Sequence, residues 1–145
     1  MPSDLARQLS GAWFNQLGSR LDLQADDDGR LRGTYQSPVG GVEGTHPVTG
    51  YFDADGDGPD RAVGFAVRWQ SACSVTVWSG HFQVADEVLL TTWLLSGGAL
   101  GPGEWRATLI GHDEFHRSPP GAEVVTGVAS SVPAAGGGRG AGAPR

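Results

Sequence analysis

The sequence predicts an all-β protein, an eight-stranded antiparallel up-and-down β-barrel, on three observations. Apolar and polar residues alternate with period two in short runs broken by Gly, Asp and Pro; helical periodicity is hard to find; and large aromatics share strand faces with lone polar groups. The third observation rests on Trp69, Trp78, Trp93 and Trp105, each read as opening or closing a strand, and on Ser74, Thr76 and Asp113 on the same faces. A buried polar group without a partner costs about 1–3 kcal/mol, so such a face suits a ligand cavity better than a dry core.

The runs follow in order. The first strand is placed at 12–17 and the second at 20–25, and Asp26-Asp27-Asp28-Gly29 turns the chain into a third at 30–36. A fourth lies at 48–53. After the loop 54–60, Val63, Phe65, Val67 and Trp69 alternate with Ala62, Gly64, Ala66 and Arg68, which gives the fifth strand one bulky and one small face. The sixth spans 74–82, the seventh 88–95 and the eighth 105–112. Short connections favour antiparallel neighbours, and closing the sheet removes its exposed edges. Eight strands leave room for one small ligand.

The chain has 145 residues, enough for one core; residues 1–117 form the predicted barrel, and 118–145, rich in Gly, Ala and Pro and ending GGGRGAGAPR, a disordered tail. A net charge of -6 argues against nucleic acid and anionic membrane as partners. All 10 basic residues are Arg, so lysine chemistry is excluded, and the single cysteine, Cys73, excludes an intrachain disulfide. MPSDLARQLSGAW has no apolar signal region, and no stretch approaches a membrane helix, so the chain as given reads as soluble.

Strand parity sharpens the cavity reading, because residues two apart share a face. Trp105, Leu109 and Asp113 fall together, as do Trp93 with Leu95, and Ser74 and Thr76 with Trp78; the first hairpin adds Asn15 and Ser19, and the third strand Tyr35 with Ser37 just past its end. The segments Gly11-Ala-Trp-Phe-Asn-Gln-Leu-Gly-Ser19, Gly33-Thr-Tyr-Gln-Ser37, Thr76-Val-Trp-Ser-Gly80, Thr92-Trp-Leu-Leu95 and Trp105-Arg-Ala-Thr-Leu-Ile-Gly-His-Asp113 resemble the avidin and streptavidin family of biotin-binding proteins, in order and with near-constant spacing over about residues 9–117.

That resemblance implies a streptavidin-like barrel in which Asn15, Ser19 and Tyr35 hold the ureido oxygen of biotin, while Ser37 and Asp113 take its ureido N–H groups. It sets Thr76 by the ring sulfur and Ser74 at the carboxylate end. Trp69, Trp78 and Trp93 become walls, with Leu95 and Leu109 adding apolar surface, and Val39 and Gly40 open the lid. Trp105 matches a tryptophan lent to a neighbouring subunit, so a homotetramer is expected over a homodimer; export is implied by resemblance alone. Three departures concern the carboxylate end: the short connection Gln70 to Cys73, Gly41 in place of asparagine and Gly97 in place of serine. Tyr51-Phe52-Asp53 stands where streptavidin carries Arg-Tyr-Asp.

Other features have plainer readings. Trp13, in Gly11-x-Trp13, plugs the barrel base. Asp53-Ala-Asp55-Gly-Asp57-Gly58 begins like a calcium loop, but its twelfth position is Gly64 where a bidentate Glu is needed, so a solvated turn and no metal are expected. His112 neighbours Asp113 but points to the opposite face, which assigns it with Ile110 to a subunit interface and deprives Ser79 of a base. His81 and His116 read as surface residues and Cys73 as an inert thiol. The expectation is a biotin-binding protein that is not an enzyme and uses no cofactor. Its rivals are another barrel of the lipocalin type, carrying an apolar ligand or inhibiting a protease, and a hydrolase built on Cys73 or Ser79.

Overall fold

A computed structural model describes residues 2–38, 44–98, 103–104 and 107–122. The strands are β1 (Gly11–Phe14), β2 (Arg20–Ala25), β3 (Arg30–Gln36), β4 (Thr45–Phe52), β5 (Asp60–Trp69), β6 (Ser74–Gln83), β7 (Val88–Gly97) and β8 (Leu109–Phe115). Each pairs antiparallel with the next, so spatial order equals chain order in one sheet. The two edges then meet. Phe14 and His116 exchange both backbone hydrogen bonds at 2.8 Å, and beyond them the Gln16 side chain continues the seam. Its Nε2 donates to the His112 carbonyl (3.1 Å), and its Oε1 accepts from the Glu114 N–H (3.1 Å), so one side-chain amide acts as an extra peptide unit between β1 and β8. The all-β barrel expected from the alternation is the observed architecture.

Several boundaries differ from the sequence reading, each for a local reason. β1 stops at Phe14 because the Asn15 carboxamide oxygen turns back to accept the Leu17 and Ser19 N–H groups. β4 begins at Thr45, ahead of Pro47; the β4–β5 ladder starts only at Val48, so Pro47 sits where its missing N–H interrupts nothing. β5 reaches back to Asp60 and β7 on to Gly97, while β8 runs from Leu109 to Phe115, which places Asp113 inside the strand. Trp69 does close β5, but Trp78 and Trp93 lie mid-strand and face each other across β6 and β7, contrary to the reading that each marks a strand end. Trp105 and the lid residues Val39 and Gly40 lie outside the described residues, as does the tail from 123 onward.

The N-terminus holds a helix that period-two patterning did not announce, α1 (Asp4–Leu9), capped by the Ser3 hydroxyl, which accepts from the Ala6 N–H at 3.1 Å. Only Ala6 and Leu9 are buried, too few positions for a periodic signal. Up-and-down topology sends the β2–β3, β4–β5 and β6–β7 turns to one end, and α1 joins them there through Ser3 N–H donating to Asp27 (2.8 Å). Trp13 plugs this floor as expected. It is fully buried, its indole N–H donates to the Leu9 carbonyl (2.9 Å), and the Arg117 guanidinium stacks 3.8 Å from its ring centre. Arg117 also donates to the carbonyls of Ala12 (3.0 Å), Ser10 (3.1 Å) and Gln8, which ties β8, α1 and β1 together.

The Asp53 carboxylate folds back onto the N–H groups of Asp55 and Gly56, a solvated turn, and His81 and His116 are exposed. Among the described residues, no helix is long and apolar enough to cross a membrane. Because Arg117 combines a cation–π stack with hydrogen bonds to three carbonyls and an ion pair with Glu87, Arg117→Ala should lower unfolding free energy by about 2–4 kcal/mol, read as a lower urea midpoint at unchanged slope. Arg117→Lys, which keeps the charge and loses the planar fork, should recover only part of that loss.

Candidate ligand-binding site

The opposite end of the barrel gathers the β1–β2, β3–β4, β5–β6 and β7–β8 connections, and the polar groups inside the wall lie toward it. The β1–β2 turn sets the first of them. Gly18 adopts φ +87°, a left-handed conformation open to glycine, and returns the chain so that Asn15 N–H reaches the Ser19 carbonyl. With its oxygen occupied by Leu17 N–H (3.0 Å) and Ser19 N–H (2.9 Å), the Asn15 carboxamide is held rigid and presents Nδ2 inward, 3.3 Å from the Tyr35 hydroxyl. Tyr35 is itself fixed between two indoles, edge-on to Trp69 at 5.5 Å and tilted against Trp78 at 5.1 Å.

Burial first, and the Asp113 charge second, push the Tyr35 phenol well above its ordinary value, so it remains a neutral O–H donor. The Ser19 hydroxyl lies near enough to favour the phenolate, yet meets no group at hydrogen-bonding geometry. Asn15, Ser19 and Tyr35 thus bring an amide N–H and two hydroxyls to one place, each at most 1% exposed. Beside them stands Asp113, 2% exposed, accepting from the Trp78 indole N–H on Oδ2 (2.8 Å) and from Gln16 Nε2 on Oδ1 (2.8 Å). Each carboxylate oxygen keeps a second lone-pair direction, so Asp113 can accept further N–H groups. Three donors next to one acceptor is the complement of a group carrying a carbonyl flanked by N–H, such as a urea.

A second set lies nearer the mouth. The Trp69 indole N–H donates to Thr76 Oγ1 (2.7 Å), and Ser74, paired across from Trp69, has a buried hydroxyl with no hydrogen-bond partner. Trp93 lies over Gly111, where a Cβ would come within 2.3 Å of the indole; the glycine clears the space that ring fills. Leu95 is buried with it, whereas Leu109 shares the Asp113 parity but is 61% exposed, too near the end of β8 to be covered by the wall. Ser37 is half-buried just past β3. His112 is exposed while Asp113 is buried, so the two face opposite ways as parity required. Cys73 is exposed at the short β5–β6 connection, and Ser79 points outward in register with Thr92 and His112.

Sequence reasoning missed Gln16, His46 and Gly111. Gln16 acts across the seam, between residues 97 apart in the chain, where local patterning carries no signal. His46 is inward-facing on β4, pairs with Tyr35 and meets Trp69 edge-on at 4.9 Å. Its parity with Val48 and Phe52 would have revealed it had the fourth strand been started before Pro47.

The Asp113 carboxyl is raised above its ordinary 3.8, burial outweighing the opposing contacts to Trp78, Gln16, Asn15 and Trp93. The folded state therefore holds this proton more tightly than the unfolded chain. Its contribution to stability is full below the unfolded value and lost as pH rises through the folded one. In calorimetry without ligand, Asp113→Ala should lower Tm more near about pH 4, where the buried carboxyl holds its proton, than near about pH 7. A Tm lowered at neutral pH and not in acid would show instead that the ionised carboxylate stabilises the ligand-free barrel.

A model of the Avidin family matches residues 3–118. Among curated relatives, avidin-related protein 4/5 of Gallus gallus is 33% identical over 126 residues, 80% of this chain and 83% of that protein. Avidin of the same organism is 32% identical over 117 residues, covering 75% and 77%, and avidin-related protein 2 is 34% identical over 127 residues, covering 80% and 83%. The family is one of non-enzymatic biotin-binding proteins. By its barrel, by the family match across that whole barrel and by these relatives, the chain belongs to the avidin family.

Proposed function

We propose that this chain binds biotin, non-covalently and without turnover, in the cavity at the open end of the barrel. One observation carries the reading: Asn15, Ser19 and Tyr35 present donors beside the acceptor Asp113, deep inside a wall of indoles. The ureido oxygen of biotin would sit among the three donors, and its N–H groups would reach Asp113 and Ser37. Trp69, Trp78 and Trp93 would enclose the bicyclic ring, with Thr76 by the sulfur, Leu95 along the valeryl chain, Ser74 at the carboxylate end, and Val39, Gly40 and Leu109 at the mouth. The buried, unpartnered hydroxyls of Ser19 and Ser74 support a polar ligand, since each costs about 1–3 kcal/mol until it is satisfied. An apolar-ligand carrier of the lipocalin type leaves that cost, and the buried Asp113, unexplained.

The outer face supports assembly. Val77, Leu94 and Ile110 are exposed and lie side by side across β6, β7 and β8, an apolar stripe with His112 beside it. We infer a homotetramer, in which Trp105 would reach a neighbour's pocket, and export of the protein, where sequestering the vitamin has its use.

Tryptophan fluorescence should be quenched sharply and stoichiometrically by biotin and not by a fatty acid, and Tm should climb as biotin is added because only the folded state binds. Asp113→Ala should weaken biotin by about 2–4 kcal/mol, roughly 30- to 1,000-fold in Kd by titration calorimetry. Unchanged affinity would remove Asp113 from the site, and a monomeric native mass would remove the tetramer.

A further inference from the structure

The inside of the barrel wall is graded in exposure. Asn15, Ser19, Tyr35 and Asp113 are the most completely covered polar groups in it, while Ser74 and His46 are each 8% exposed. Those two belong to one row. His46 is the first inward residue of β4 after the β3–β4 connection, Trp69 the last residue of β5 and Ser74 the first of β6; Trp69 pairs with Ser74 and packs against the His46 ring. A ligand whose urea end is buried among the inner groups must direct its other end outward past this row. For biotin that end is a carboxylate.

We propose that His46 selects for an acidic tail at the mouth, its imidazolium drawing the ligand carboxylate toward the row it forms with Trp69 and Ser74. This rests on the biotin reading above. Among the described residues, the titratable groups inside the wall above the floor are three: His46, Tyr35 on β3 and Asp113 on β8. Tyr35 stays neutral and Asp113 is acidic, so His46 is the one group of the three able to carry positive charge. From the neighbouring elements, Trp69 faces it on β5 while Arg68 is turned outward and exposed; on β4 itself Thr45 and Pro47 are exposed on the outer face. A histidine ring gains its charge as pH falls, over a range where a carboxylic acid is still ionised.

The test compares biotin with biotin methyl ester, which keeps the urea and rings and removes the charge, by titration at about pH 5.5 and about pH 8. Any titration of Asp113 acts on both ligands alike and cancels in the ratio of their affinities. In the wild-type protein that ratio should shift in favour of the acid by about three- to tenfold on going to the lower pH. His46→Phe, which keeps a ring against Trp69, should hold the ratio constant, and His46→Gln should do the same should the larger ring fold poorly. Tight binding of both ligands with a pH-independent ratio overturns the role of His46 and leaves the biotin reading standing. Failure of biotin itself to bind at any pH overturns both.

Discussion

The seam between the first and last strands is the constraint on which site and fold both depend. A single backbone bridge, Phe14 with His116, would leave the sheet open above it. The Gln16 side chain extends the closure by bonding the carbonyl of His112 and the N–H of Glu114, and the same amide nitrogen donates to Asp113. The group that finishes the barrel is therefore also the group that orients its buried carboxylate. Below it, Arg117 secures the seam from the floor by reaching from the end of β8 to the carbonyls of α1 and β1. The buried carboxylate of Asp113 lies beside the upper of these two fastenings.

That location carries a cost the rest of the core does not bear. Below the site the interior is dry and aromatic, with Trp13 edge-on to Phe82 at 5.8 Å and Phe65 packed beside Phe115. Above it a carboxylate is buried with its pKa raised, and two serine hydroxyls are covered without partners. Purely structural selection would replace such groups with apolar ones of similar shape, since buried unpaired polarity destabilises. Their presence, against a floor built for stability, separates the part of the barrel that holds the fold from the part proposed above to receive a ligand.

How much of this the sequence disclosed follows the range of each interaction. Period-two alternation made the eight strands and their buried faces legible, as with Val63, Phe65, Val67 and Trp69, because parity is a property of adjacent residues. It also separated His112 from Asp113 correctly. What failed was either too short or too long in range. Helix α1 has only two buried positions, and Pro47 hid the start of β4 and with it His46. Gln16 and Arg117 act on groups about a hundred residues away, which no window along the chain can see. The indole of Trp93 over Gly111 belongs to the same class, since a cross-strand glycine reads locally as a weak point in a strand and structurally as the space for a ring.

Preorganisation explains why rigid local devices surround the polar groups. Asn15 is fixed by two backbone N–H groups, Tyr35 is wedged between Trp69 and Trp78, and Trp78 and Trp69 are each tethered through their indole nitrogens to Asp113 and Thr76. A side chain ordered on binding costs about 0.5–1.5 kcal/mol, so a site whose groups are already held loses little when a ligand arrives. The hydrogen bonds that hold them also polarise them. Tyr35 receives the Asn15 N–H on its oxygen, which leaves its own proton to be given away, and Asp113 receives two donors while keeping lone pairs for more. Asn15, Tyr35 and Asp113 are thus each committed to one sense of hydrogen bonding, and the proposed ligand would have to meet them in the opposite sense.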